Sequence, residues 1–131
     1  MIRIILICAF CLICFGSEER TVEVRAYCLC EKCTSKELVK ISQKDRRTAN
    51  GNHVFVDGVF QKGLAVPKDG PIMFGTLVSV PEYGEVMADD TGGWINCKWH
   101  QNKELYIEVR FETHQDALDW GVKKLKIKWE K

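Results

Sequence analysis

Two carboxylates stand in settings suited to acid–base chemistry. Asp90 heads the segment Asp90-Thr91-Gly92-Gly93, where paired glycines let the backbone approach a ligand closely. Glu108 interrupts the alternation of Leu105, Ile107, Val109 and Phe111, so it falls on the opposite face of the same strand. A carboxyl on a strand that opens onto a cleft has its pKa raised by burial and by like charge, which suits a general acid. Each residue also has a plainer role, Asp90 as a turn former and Glu108 as a solvent-facing strand residue. Trp94 and Trp99 follow the glycine pair, with His100 and Tyr106 nearby. Rings of this kind stack on sugar faces, or pack a core.

The cysteines form a second group. Cys28, Cys30 and Cys33 are crowded into six residues, and Cys97 completes an even set outside the N-terminal segment. Four cysteines in an exported chain can form two disulfides, with three possible connectivities, or their thiolates can hold a tetrahedral zinc, or they can stay free. His53, His100 and His114 show no ligand-like spacing, and His114 reads as a surface residue in the first turn of a helix. Walker, Gly-x-Ser-x-Gly and His-Glu-x-x-His motifs are absent from the sequence.

The elements that must position these residues are mostly short strands. Period-two alternation predicts strands over Thr21–Tyr27, Thr76–Val80, Glu85–Ala88, Leu105–Phe111 and Val122–Trp129. In the last of these, Leu125, Ile127 and Trp129 share one face, and Lys124, Lys126 and Lys128 the other, solvated one. Asp57-Gly58 between Val54-Phe55-Val56 and Val59-Phe60 predicts a two-residue hairpin turn. Gly63–Val66 is a further short apolar piece, and Pro67–Pro71 a turn cluster. One helix stands out, capped by Thr113, carrying Ala117, Leu118 and Trp120, and stopped by Gly121. A weaker helical piece covers residues 35–42. Many short strands and one prominent helix predict a mainly β fold, a small barrel with a helical insertion.

Composition narrows the class. The chain has 131 residues with a net charge of +1, and the N-terminal segment holds the surplus charge as Arg3. A neutral chain lacks the basic excess that electrostatic nucleic-acid binding needs. The start, Met1-Ile2-Arg3 followed by twelve apolar residues to Phe15 and then Gly16-Ser17, predicts a signal peptide over residues 1–16. The run is too short to span a bilayer, which takes about 20 residues. A single secreted, periplasmic or wall-associated domain over residues 17–131 is expected, with no stable membrane span after cleavage; its oligomeric state is left open.

The order of short motifs adds a resemblance. Ala26-Tyr27-Cys28, Thr48-Ala49-Asn50-Gly51, Leu64-Ala65-Val66, Phe74-Gly75-Thr76, Val80-Pro81-Glu82-Tyr83-Gly84, Asp90-Thr91-Gly92-Gly93, Ile107-Glu108-Val109-Arg110-Phe111 and Ala117-Leu118-Asp119-Trp120-Gly121 follow one another along residues 21–129. This series resembles the 3D domain, a family named for three aspartates. The family includes small bacterial cell-wall proteins and is similar to the C-terminal part of membrane-bound lytic murein transglycosylase A. The resemblance implies a double-psi β-barrel. It also implies cofactor-free cleavage of peptidoglycan glycan strands between N-acetylmuramic acid and N-acetylglucosamine, with a 1,6-anhydro product. Asp90 matches the aspartate before Thr-Gly-Gly. Glu108 takes the place of the family's strand aspartate, one methylene longer. Pro67 follows Ala65-Val66 where the first aspartate is usual, and the nearest carboxylate is Asp69. The resemblance thus implies Glu108 as acid/base, Asp90 as its electrostatic partner and Asp69 as a third carboxylate. Thr91, Gly92, Gly93, Trp94 and Trp99 would contact the glycan. A non-catalytic glycan-binding or wall-loosening barrel, like the similar barrels of expansins, is the alternative. A cysteine- or zinc-stabilised secreted interaction module is the third reading.

Overall fold

A computed structural model describes residues 16–34, 37 and 40–131. The leader expected over residues 1–16 lies outside the described residues but for Gly16, as does half of the weak helical segment at 35–42.

The strands are β1 (Ser17–Tyr27), β2 (Phe55–Val56), β3 (Val59–Phe60), β4 (Leu64–Ala65), β5 (Leu77–Val80), β6 (Gly84–Asp90), β7 (Tyr106–Arg110) and β8 (Lys123–Glu130). Among the described residues, α1 (Gly93–Asn102) lies between β6 and β7 and α2 (His114–Trp120) between β7 and β8, with a short 3-10 turn at Gln43–Asp45. Six strands close a barrel in the order β1-β7-β4-β6-β5-β8, and β8 returns to β1. Closure removes the open edges that a sheet otherwise leaves unpaired. The eleven residues of β1 serve two neighbours. Ser17–Val24 pairs antiparallel with β8, and Glu23–Tyr27 pairs parallel with β7. The β4–β6 pair is also parallel, and the remaining barrel pairs are antiparallel.

The alternation read from the sequence sets the barrel interior. Val22 and Val24 of β1, Ile107 and Val109 of β7, and Ile127 and Trp129 of β8 are buried in one core with Leu64, Val78, Val80 and Trp120. Lys124, Lys126 and Lys128 are exposed, as expected of the outer face. The β2–β3 hairpin lies apart from the barrel as a two-stranded sheet. Its turn residues Asp57 and Gly58 have φ of 49° and 76°, the doubly left-handed turn whose twist suits adjacent strands.

Helix α2 forms as its sequence predicts. The Thr113 hydroxyl accepts from the Asp116 amide at 3.1 Å, Gly121 ends the helix at φ 68°, and the buried Trp120 indole donates to the Val24 carbonyl at 3.2 Å. Helix α1 corrects the expectation of one prominent helix. It occupies the Trp94–Tyr106 link, and only Ile95 on it is buried. With a single buried apolar residue it carries no helical stripe to read in the sequence. Gly92 precedes it in an extended conformation, and Lys103 closes it at φ 55°. Among the described residues no helix is long and apolar enough to cross a membrane.

Candidate functional site

Strand register builds one row of side chains across four neighbouring strands. Arg25 of β1 pairs with Glu108 of β7, Glu108 with Ala65 of β4, and Ala65 with Asp90 of β6. Neighbouring strands lie about 4.8 Å apart, so the backbones of Glu108 and Asp90 are separated by roughly 10 Å. The small Ala65 between them leaves the space over the sheet open. An irregularity in the β4–β6 register turns two consecutive aspartates to different uses: Leu64 pairs with Ala88, but Ala65 pairs with Asp90. Asp89 is thereby buried, and Asp90 reaches the groove.

Asp90 is held by three donors. The Tyr27 hydroxyl donates to Oδ2 at 2.7 Å, and the amides of Ala49 and Thr91 donate to Oδ1 at 3.0 and 2.9 Å. Behind it lies a buried ion pair. The Arg110 guanidinium donates to both carboxylate oxygens of Asp89, at 2.9 and 3.0 Å, to the Gln61 carbonyl at 3.1 Å, and to the Tyr27 hydroxyl at 3.3 Å. Tyr83 donates to the Arg110 carbonyl and packs edge-on against Trp120. Gly63 is required at its position, because a Cβ there would lie 2.2 Å from Arg110 Nη2. Tyr27 therefore links two carboxylates, touching Asp90 directly and Asp89 through Arg110.

Glu108 sits differently. Among the described residues its carboxyl meets no hydrogen-bond donor and no ion-pair partner. Burial raises its pKa above the ordinary value of 4.5; the positive charge of Arg25 opposes this, and the negative charge of Asp90 adds to it. Gly92 passes close by, and a Cβ on it would lie 3.2 Å from Glu108 Oε1. The expected approach was of the glycine backbone to a ligand; what the structure gives is Gly92 close against Glu108.

Both carboxylates line one groove of about 630 Å³. Thr91, Gly92, Gly93 and Trp94 line it too. Trp94 is 41% exposed, with the Arg25 guanidinium 4.2 Å from its ring centre and the Tyr106 ring at 4.8 Å. Two expected members lie elsewhere. Asp69 is exposed at φ 59° in the turn after Pro67 and faces a separate hollow with Ile72 and Met73. The turn carries its side chain past the end of β4, so proximity in sequence to Ala65-Val66 does not bring it in. Trp99 packs against the barrel core, and its indole donates to the Asp69 carbonyl at 3.1 Å. The core-packing role is the one it takes.

The cysteines also separate. No described pair is at bonding distance, and Cys97 is exposed on α1, apart from the other three. In its place stands His114. Its Nδ1 lies 3.6, 3.3 and 3.4 Å from the sulfurs of Cys28, Cys30 and Cys33, and Cys28 and Cys33 are 3.7 Å apart. The surface reading of His114 and the four-cysteine set are both corrected. A chain separation of 81 to 86 residues hid this pairing from any spacing rule. Burial, with hydrogen bonding inside the cluster, pushes the Cys28 thiol up to about 12. Burial acts against ionisation of Cys30 as well, but hydrogen bonds from the Cys28 thiol and the Lys32 and Cys33 amides draw it down to about 6.

Reading the sequence also missed Tyr27, Asp89 and Arg110 as parts of the site. The available signal was the shared face of Glu108 and Arg110, two residues apart on one strand. No protein-family model matches the chain, and a search of curated proteins finds no match.

Proposed function

We propose that the chain is an exported double-psi barrel of the 3D type that cleaves peptidoglycan glycan strands as a lytic transglycosylase. The observation that carries this reading is the pairing in one groove of an unpartnered, half-buried carboxyl with a carboxylate fixed by three donors. Glu108, with its raised pKa, donates its proton to the glycosidic oxygen as the bond to C1 breaks. The 6-hydroxyl of the same muramic acid residue then attacks C1, and its proton passes to the Glu108 carboxylate. The ring closes as a 1,6-anhydro sugar, the acid is regenerated and no water is consumed. Asp90 stabilises the positive charge that develops on the sugar ring. Trp94 lines the groove with its exposed part, within reach of a bound sugar, and the closed six-stranded barrel supports the fold assignment.

Asp69 stands outside the groove, so among the described residues two carboxylates converge where the family has three aspartates. This favours the non-catalytic, glycan-binding barrel as the second reading. Incubation with purified sacculi and mass analysis of the soluble products separates the two. Anhydromuropeptides from the wild type, reduced by about 10²–10⁴-fold in Glu108→Gln, support the enzyme. Co-sedimentation with sacculi and no product from the wild type overturns it in favour of the binder.

A further inference from the structure

We propose that Cys28, Cys30, Cys33 and His114 form a structural zinc site that clips the start of α2 to the end of β1. The geometry of the four ligand atoms carries the inference. A tetrahedral zinc, with Zn–S of about 2.3 Å and Zn–N of about 2.0 Å, sets thiolates about 3.8 Å apart and each thiolate about 3.5 Å from the imidazole nitrogen. The cluster has 3.7 Å between Cys28 and Cys33, and 3.6, 3.3 and 3.4 Å from the three sulfurs to His114 Nδ1. All four ligand atoms lie within 4.8 Å of one another. One sulfur–sulfur and all three sulfur–nitrogen separations thus match the tetrahedral values, whereas a disulfide would bring one pair to about 2.05 Å.

The donor set selects the metal. Three thiolates and one imidazole suit zinc and leave no position open for water, which marks a structural rather than a catalytic ion. Local structure presents the ligands in advance. The amides of Cys33 and Thr34 donate to the Cys30 carbonyl at 3.1 and 2.9 Å, curling the loop so that its three sulfurs converge. Thr113 caps α2 and fixes His114 as its first residue. Cys28 follows directly on Tyr27, the donor to Asp90, and Leu29, Cys33 and Thr34 line the same groove. The ion would thus stiffen one wall of the groove without touching its carboxylates. The site does not depend on what the groove binds.

Metal analysis of the full chain, purified under reducing conditions and supplied with zinc, tests the proposal. One zinc per chain is expected in the wild type and in Cys97→Ser, with affinity reduced by more than roughly 100-fold in His114→Ala and Cys33→Ser, since loss of a supporting group alone costs 10–100-fold. His114→Cys should retain the ion. Cobalt in place of zinc should show thiolate charge-transfer and tetrahedral ligand-field bands. Alkylation followed by peptide mapping needs no variant: Cys97 should label at once, and Cys28, Cys30 and Cys33 only after chelation. Wild-type protein that takes up no zinc, a mapped disulfide within the cluster under these conditions, equal labelling of Cys28, Cys30, Cys33 and Cys97 with and without chelator, or stoichiometric zinc with unchanged affinity in His114→Ala would each overturn it.

Discussion

Glu108 ionises against its surroundings, and this has a consequence for stability that is separate from any activity. A carboxyl whose pKa is raised on folding binds its proton more tightly in the folded chain than in the unfolded one. Its contribution therefore favours folding below the ordinary value of 4.5 and is lost as pH rises from there through the folded-state pKa. Glu108→Gln should unfold at a higher temperature than the wild type at neutral pH, with the difference vanishing in acid. Thermal melts of both proteins across that range check the sign, and a variant less stable at neutral pH would contradict it. Asp89 has a structural role, as the ion-pair partner of a fully buried Arg110. Asp89→Asn leaves that guanidinium without its counter-charge, and a loss of about 3 kcal/mol is expected from denaturant titration. Neighbours in sequence, Asp89 and Asp90 thus divide into a structural anchor and a groove carboxylate.

Helix α2 and the β6–α1 junction are each held by a local device. For α2 the device is Thr113, whose hydroxyl satisfies the Asp116 amide at the helix start. Thr113→Ala should cost about 1 kcal/mol in urea unfolding. Because His114 follows the cap directly, the same variant should bind zinc more weakly than the wild type; unchanged metal affinity would show that His114 is positioned by other contacts. For the β6–α1 junction the device is the glycine pair, with Gly92 close against Glu108 and extended before the helix. Helix α2 was legible because cap, apolar positions and stop all fall in nine residues. Helix α1 was not, since it carries one buried residue, Ile95.

Barrel closure depends on β8, the last strand, which pairs with both β1 and β5. Removing residues 122–131 opens the barrel along two strands and exposes the interior faces of Val22, Val24 and Val78, all now buried. Loss of a cooperative urea transition, followed by circular dichroism, is the expected outcome; a truncated chain with the wild-type midpoint would show that the barrel closes without β8. The strands themselves, the Asp57-Gly58 turn and the α2 caps follow from alternation, turn chemistry and capping, which act over a few residues and so can be read along the chain. The faces of Val22, Val24, Ile127 and Trp129 were legible for the same reason. What joins Arg25, Glu108, Ala65 and Asp90 into one row is the order and register of β1, β7, β4 and β6. Those pairings bring together segments far apart in sequence, and no local periodicity encodes which strand lies beside which. The same holds for Asp69, near the groove in sequence but turned away from it, and for His114, remote in sequence yet set among three cysteines because β1 and β7 run parallel and end side by side.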